Sequence, residues 1–79
     1  MYSLALVTPG KPTERRTAAT GGEIRDAVWD LLRSRGFEIK DEHHRELIIQ
    51  TGNARNVADS DGYAALLFEG IGALTITAG

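Results

Sequence analysis

The stretch from Thr20 to Gly36 constrains the fold most strongly, because it carries a complete set of helix signals. Thr20 and Glu23 have the spacing of a capping box, in which each side chain accepts a hydrogen bond from the other residue's backbone amide. Gly36 offers the left-handed residue that commonly follows a helix. The apolar residues between them recur every three or four positions, and they are Ile24, Ala27, Val28, Leu31 and Leu32. The sequence therefore predicts an amphipathic helix that buries this stripe against another layer.

Shorter patterns predict four strands around this helix. Residues Tyr2–Thr8 alternate, with apolar side chains on both faces, which is typical of a strand in the centre of a sheet. Phe37–Lys40 follows the helix directly and alternates apolar with charged residues, so a strand with Phe37 and Ile39 inward is predicted. Glu46–Thr51 is rich in β-branched residues, and Ala73–Ala78 alternates small and branched side chains. The polar segment Asp41–Arg45 is predicted to be a turn.

The segment between Asn53 and Gly72 is compatible with two structures. A short helix beginning near Asp59 and ending at Gly70 is favoured, because the end of this segment resembles the end of the first helix. The alternative is a strand over Tyr63–Phe68 that forms a hairpin with the last strand. The helix is the prediction, and the hairpin is the alternative.

Together these elements predict one α+β domain of residues 1–79. The order strand, helix, strand, strand, helix, strand is that of a two-layer βαββαβ sandwich of the ferredoxin-like type. It has a four-stranded antiparallel sheet with two helices on one face, and residues 9–19 form an exposed loop. The open face of the sheet, which carries Val7 and Ile48, is expected to be covered by a partner or a second copy. The side chains predicted beneath the helices are Tyr2, Leu4, Leu6, Phe37, Ile39, Leu47, Ile49, Leu74 and Ile76.

Composition excludes several kinds of site. The chain has 79 residues and no cysteine, so we expect no disulfide, thiolate zinc site, iron–sulfur cluster or thiol nucleophile. Its longest apolar run, Tyr63–Phe68, is far shorter than the ~20 residues of a membrane span. The first residues carry no basic segment or cleavage site of a signal peptide. We therefore expect a cytoplasmic protein without a membrane partner.

Motifs of catalysis and metal binding are absent from the sequence. No Gly-x-Ser-x-Gly pattern occurs, and the glycine pairs lack the lysine and spacing of a phosphate loop. His43 and His44 are adjacent, so in an extended turn their rings would point to opposite sides. Asp59 begins a segment that lacks the later oxygen ligands of a calcium loop. We predict no enzymatic activity, no cofactor and no metal site.

Charge is distributed unevenly along the chain. Nine basic and eleven acidic residues give a net charge of −2, which weighs against a nucleic-acid-binding protein. The loop is locally basic, through Lys11, Arg15 and Arg16, whereas residues 38–69 are mainly acidic. The simplest interpretation is a solvated surface, and the other is that these charges bind a partner.

Trp29 is the first residue to consider for a binding role. Arg25 and Arg33 lie four residues on either side of it, so all three fall on one side of the helix. In one interpretation the ring is half-buried at the rim of the sandwich and stacks under the arginine stems. In the other, the three residues form a patch for a partner protein, because Trp and Arg are frequent interface hot spots.

An acidic chain of about 80 residues with a small mixed sandwich and no catalytic motif resembles the phage-encoded inhibitors known as anti-CRISPR proteins. The resemblance implies a non-catalytic inhibitor that binds a subunit of a CRISPR surveillance complex in the bacterial cytosol. It would cover the DNA-binding groove or obstruct recruitment. Carboxylates can occupy sites that bind phosphates. The candidates for such mimicry are Glu38, Asp41, Glu42, Glu46, Asp59, Asp61 and Glu69.

A second functional class stays open at this stage. The chain could be a regulatory ligand-binding or nucleic-acid-associated domain of the ferredoxin-like type. Direct binding of DNA or RNA at moderate salt would favour that class, whereas the inhibitor needs no direct contact with nucleic acid. We expect a monomer or a weak homodimer in either case.

Overall fold

A computed structural model describes all residues from Met1 to Gly79 and contains four strands and two helices. The elements, in chain order, are β1 (Tyr2–Val7), β2 (Glu14–Ala18), α1 (Gly21–Ser34), α2 (Asp41–Asp61), β3 (Tyr63–Phe68) and β4 (Gly72–Ala78). The strands form one antiparallel sheet in the order β2-β1-β4-β3. Helix α1 packs on β1 and β2, while α2 packs on β3 and β4. The predicted α+β sandwich, with a four-stranded antiparallel sheet and both helices on one face, is confirmed.

The connectivity of the sandwich differs from the ferredoxin-like prediction. The observed order is ββααββ, with the two helices consecutive in the chain, rather than βαββαβ. The central strands are therefore β1 and β4, the first and last of the chain. Each helix lies over one pair of strands, so the layers are those predicted although the path of the chain is not.

The long helix α2 replaces the predicted turn and the strand after it, and the connection that precedes α2 replaces the strand over residues 37–40. Strands over residues 37–40 and 46–51, and the turn over 41–45, are wrong. The residues of α2 that are buried recur at helical spacing, and they are Leu47, Thr51, Ala54 and Ala58. Ile48 and Ile49, which produced the strand-like pattern, are 47% and 48% exposed. Phe37 and Ile39 are partly buried in the connection between the helices.

The predicted helix ending at Gly70 is also wrong, and the alternative hairpin is confirmed. Asp59 lies in the last turn of α2 rather than ahead of a new helix. Gly62 ends α2 in the left-handed conformation, with φ of 92°, and its amide donates a 2.8 Å hydrogen bond to the Ala58 carbonyl. Short polar residues such as Asp59 occur at both ends of helices, so they do not distinguish the start of a helix from its end. The glycine that follows them, Gly62, indicates the end.

Part of the predicted loop over residues 9–19 is a strand. β2 pairs with β1 from Tyr2 opposite Ala18 to Leu6 opposite Glu14. The sequence pattern missed this strand because it is an edge strand, in which only Ala18 is buried. Its other residues are polar or charged, as edge strands often are.

Helix α1 has the predicted bounds and cap. The Thr20 hydroxyl accepts a 3.2 Å hydrogen bond from the Glu23 amide. The Glu23 carboxylate accepts hydrogen bonds from the amides of Thr20 at 3.1 Å and Ala19 at 2.9 Å. Gly36 follows the helix with φ of 80°. The capping box and the glycine that mark the ends of this helix are local signals, which explains why its sequence was sufficient to predict it.

The core lies between the sheet and the two helices. Its largest fully buried side chains come from β1, β4 and α1, and they are Leu4, Leu6, Ile24, Val28, Leu31, Leu32, Leu74 and Ile76. Of the other predicted core residues, Tyr2 is partly buried and Ile49 is exposed. The opposite face of the sheet is open, as predicted for Val7, which is 49% exposed. Neither helix is both long enough and apolar enough to cross a membrane.

Candidate functional site

The predicted trio Arg25, Trp29 and Arg33 lies along a groove between α1 and α2. The groove has a volume of about 470 Å³, and its lining also includes Asp26, Asp30, His44 and Ile48. Trp29 is only 8% exposed, so its ring belongs to the core rather than to the rim. Its edge contacts the His44 ring, with centroids 6.0 Å apart and planes at 79°. A partner entering this groove would meet a buried ring rather than a projecting one.

Charge in this groove is balanced. The two arginines are matched by the carboxylates of Asp26 and Asp30, which also line it. No net field therefore draws a charged partner toward the groove. The structure brings the three predicted residues together, but this surface has weak means of recognising a partner.

The basic residues of the predicted loop do not form one patch. Lys11 lies in the connection between β1 and β2. Arg15 pairs with Ala5 and lies on the open face of the sheet, whereas its neighbour Arg16 lies on the helix side. Arg16 forms an ion pair with Glu14 at 3.5 Å. These three basic residues therefore lie in different parts of the structure.

The predicted acidic residues gather at the beginning of α2. Glu38 lies in the preceding connection, Asp41 and Glu42 in the first turn, and Glu46 one turn further, all exposed. Carboxylates are favourable here because the helix dipole places partial positive charge at this end. The Glu46 carboxylate accepts a 3.0 Å hydrogen bond from the side-chain amide of Gln50.

A shallow groove of about 390 Å³ lies where this end of α2 meets the β3–β4 hairpin. Its lining combines three carboxylates with apolar side chains of the helix, the connection and the hairpin. We call it the acidic groove, and we define it by Phe37, Glu42, Glu46, Phe68, Glu69 and Ile71. The three apolar members are partly buried against the core and form the floor.

The carboxylates of the acidic groove have little neutralising charge. Glu46 and Glu69 form no ion pair, and Glu42 has only His43, whose Nε2 atom lies 3.8 Å from its carboxylate. Lys40 and Arg45, which are close in sequence, form no ion pair with any of them. The groove therefore presents negative charge around an apolar floor.

His43 lies on the lining of this groove, while His44 belongs to the other. The His43 Nδ1 atom accepts a 3.2 Å hydrogen bond from the Lys40 amide, and its ring packs against Phe37 at 5.4 Å. The adjacent histidines thus point to different sides, but from the first turn of a helix rather than from the predicted turn. No group of three or more His, Cys, Asp or Glu side chains is arranged to hold a metal ion.

Sequence reasoning found the carboxylates of the acidic groove but not its floor. Phe37 was assigned to a strand, and Phe68 to a helix. Phe37 and Phe68 meet because of the path of the chain. The hairpin after α2 brings them together, and it also brings Glu42 close to Glu69. The spacing of Phe68 and Ile71 around a glycine turn was the available signal.

Comparison of this chain with protein-family models, with curated proteins and with solved structures finds no match.

Proposed function

We propose that this chain is a non-catalytic protein-binding inhibitor that uses its acidic groove to bind a basic, nucleic-acid-binding surface of its partner. The observation that carries the proposal is the meeting of Glu42, Glu46 and Glu69 around an apolar floor, with no Lys or Arg side chain in an ion pair with any of them.

The composition of the groove suits a protein interface. Aromatic side chains at the centre of an interface supply binding energy when water is removed from them, and Phe37 and Phe68 on the floor of the groove would act in this way. Polar residues at the rim fix orientation and speed association through electrostatic steering. Carboxylates select a partner with Arg or Lys at matching positions, which is the chemistry of a surface that binds phosphates.

At the finer level, we propose a subunit of a CRISPR surveillance complex as the partner and the anti-CRISPR proteins as the functional class. Small size, net acidic charge and a small α+β sandwich support this assignment. An acidic protein that occupies the basic DNA groove prevents the complex from binding its target. The proposed origin is a phage or another mobile element, and the proposed place of action is the bacterial cytosol.

The test is inhibition of DNA binding by a panel of purified surveillance complexes, measured by mobility shift. The native chain is expected to inhibit one complex. The double variant Glu42→Gln, Glu46→Gln should need about tenfold more protein for the same inhibition, because it removes two charges from the interface.

The matched control is Asp26→Asn, Asp30→Asn, which makes the same change of net charge on α1. It should inhibit as well as the native chain. Equal weakening by both pairs would assign the effect to overall charge and contradict the acidic groove as the docking surface. Inhibition of none of the complexes would overturn the assignment to anti-CRISPR proteins. Direct binding of labelled DNA or RNA by the chain at moderate salt would favour a nucleic-acid-associated domain instead.

A further inference from the structure

The two edge strands of the sheet have opposite characters. β2 carries Glu14, Arg15 and Arg16, and Pro12 precedes it, which are features that hinder pairing with another strand. The other edge, β3, reads Tyr-Ala-Ala-Leu-Leu-Phe and contains no charge and no proline. An edge of this kind offers unpaired backbone groups with nothing to repel an incoming strand.

The hydrogen bonds of the hairpin show which backbone groups of β3 are free. The Ala78 amide donates a 2.9 Å hydrogen bond to the Gly62 carbonyl, so these two residues form a hydrogen-bonded pair. Bonding alternates along an antiparallel ladder, so the even-numbered residues of β3 bond to β4. Tyr63, Ala65 and Leu67 consequently direct their N–H and C=O groups to the free edge.

The surface beside this edge is also uncharged. A groove of about 370 Å³ runs between β3 and α2, and no charged residue lines it. Gln50, Asn53 and Val57 form its α2 side. Leu67 is 86% exposed, and Tyr63 is 58% exposed. Exposed apolar side chains thus lie along the same edge as the free backbone groups.

We propose that two copies of this chain pair through β3, antiparallel, about a two-fold axis at Ala65. The two four-stranded sheets then join into one sheet of eight strands. Ala65 lies opposite Ala65 of the second copy, and Tyr63 lies opposite Leu67 of the second copy. Tyr63, Ala65 and Leu67 of each chain, whose backbone groups face the free edge, then all pair, which gives about six hydrogen bonds between the chains. A shift of this register by two positions leaves about four.

Three properties of the edge favour a second copy over a different partner. The register is self-complementary, since Tyr63 of each chain covers the exposed Leu67 of the other. The helix layer would also continue across the join, because α2 lies over β3 and β4 and pairing would bring its two copies side by side. Finally, the α2 side of the groove has no charge to match an oppositely charged partner.

The proposal is tested by measuring the mass of the chain in solution by analytical ultracentrifugation over a range of concentrations. The mass should rise from 8.6 kDa to twice that value as concentration increases. Leu67→Lys should keep the mass at the monomer value, because it places a charge at the pairing edge. Val7→Lys is the control, since it adds the same charge to an exposed position of the same face but on the central strand β1. The mass of the Val7→Lys variant should still double as concentration increases.

A single cysteine tests the register, because the native chain has none. Ala65→Cys should form a disulfide between chains on oxidation, as paired Cα atoms in a hydrogen-bonded pair lie about 5.5 Å apart. Thr75→Cys, which lies opposite Ala65 on β4, should not. A monomer at every concentration, doubling that persists in Leu67→Lys, or equal cross-linking of the two cysteine variants would overturn the proposal. Leu67 also lines the acidic groove, but the mass and the cross-linking are measured on the chain alone, so failure of this proposal is distinguishable from failure of the inhibition test at Glu42 and Glu46.

Discussion

The Tyr2 hydroxyl donates a 2.6 Å hydrogen bond to the Asp59 carboxylate, which joins the first residue of β1 to the last turn of α2. The Nε atom of Arg55 completes this cluster, at 3.4 Å from the Tyr2 hydroxyl and 3.7 Å from Asp59. The hydrogen bond and charge interaction with Tyr2, with a smaller contribution from Asp59, raise the pKa of Arg55 above its ordinary value. The cluster links a central strand to the helix whose position the sequence did not predict.

Removal of the Tyr2 hydroxyl should weaken this link. Tyr2→Phe is expected to lower the free energy of unfolding by about 1 kcal/mol, because the Asp59 carboxylate loses a hydrogen-bond donor. Urea denaturation measures the change. Tyr63→Phe is the control, since Tyr63 is exposed and its hydroxyl forms no hydrogen bond within the chain. Equal stability of the Tyr2 variant and the native chain would show that water replaces the contact at no cost.

The capping box of α1 predicts a second loss of stability. Thr20→Ala removes the acceptor of the Glu23 amide and should lower the free energy of unfolding by about 1 kcal/mol. Thr13→Ala makes the same side-chain change in an exposed connection without a side-chain hydrogen bond, so its stability should match the native chain. Similar losses in both variants would contradict the assignment of the effect to the cap.

Substitution of Trp29 distinguishes a role in the core from a role in binding a partner. Trp29→Ala should lower the free energy of unfolding by about 3 kcal/mol or more, because the ring is buried in the sandwich. Ile48→Ala is the comparison, since Ile48 lines the same groove but is about half exposed, and its loss should be well below that of Trp29. A Trp29 variant as stable as the native chain would restore the interpretation of an exposed binding patch. Chemical denaturation followed by circular dichroism suits both variants.

Gly72, at the start of β4, should tolerate no side chain. Its φ is +148°, and a Cβ atom would collide with the Val7 carbonyl of the neighbouring strand. Gly72→Ala is therefore expected to cost about 2 kcal/mol or more, or to prevent folding. Gly10→Ala also has positive φ, at +77°, but a Cβ atom there meets no neighbour. A thermal melt should show the smaller decrease in Tm for Gly10→Ala, and the reverse order would contradict the close approach of β1 and β4.

The elements that the sequence predicted are those whose signals are local. The cap at Thr20 and the glycine after α1 act within a few residues, so α1 needed no tertiary information. Helix α2 depends on tertiary contacts, because Leu47 is the one large apolar residue among the four that it buries. Its small residues Ala54 and Ala58 allow close packing on the sheet but give a weak apolar stripe. The adjacent Ile48 and Ile49, both exposed, gave the stronger and misleading pattern.

The candidate site shows the same division. Glu42 and Glu46 could be named from the sequence as candidates for phosphate mimicry, but their separation by one helical turn follows only once α2 is known. Their proximity to Glu69 depends on the hairpin that returns β4 to the centre of the sheet. The arginines beside Trp29 were correctly placed on one side of α1, but the burial of the ring depends on His44 and the rest of α2. Long-range contacts, rather than local preferences, decide both surfaces.

The contrast between the two sheet edges limits how large an assembly can grow. A chain in which only one edge strand can pair is able to bind only one other chain. Once that chain is bound, no pairing edge remains for a further chain. Pairing through β3 would yield a particle bounded on both sides by the charged strand β2. If β2 resembled β3, every added chain would expose a new edge, and association would continue into a fibre. In that arrangement Glu14, Arg15 and Arg16 would stop further association at both outer edges, although they contribute little to the core.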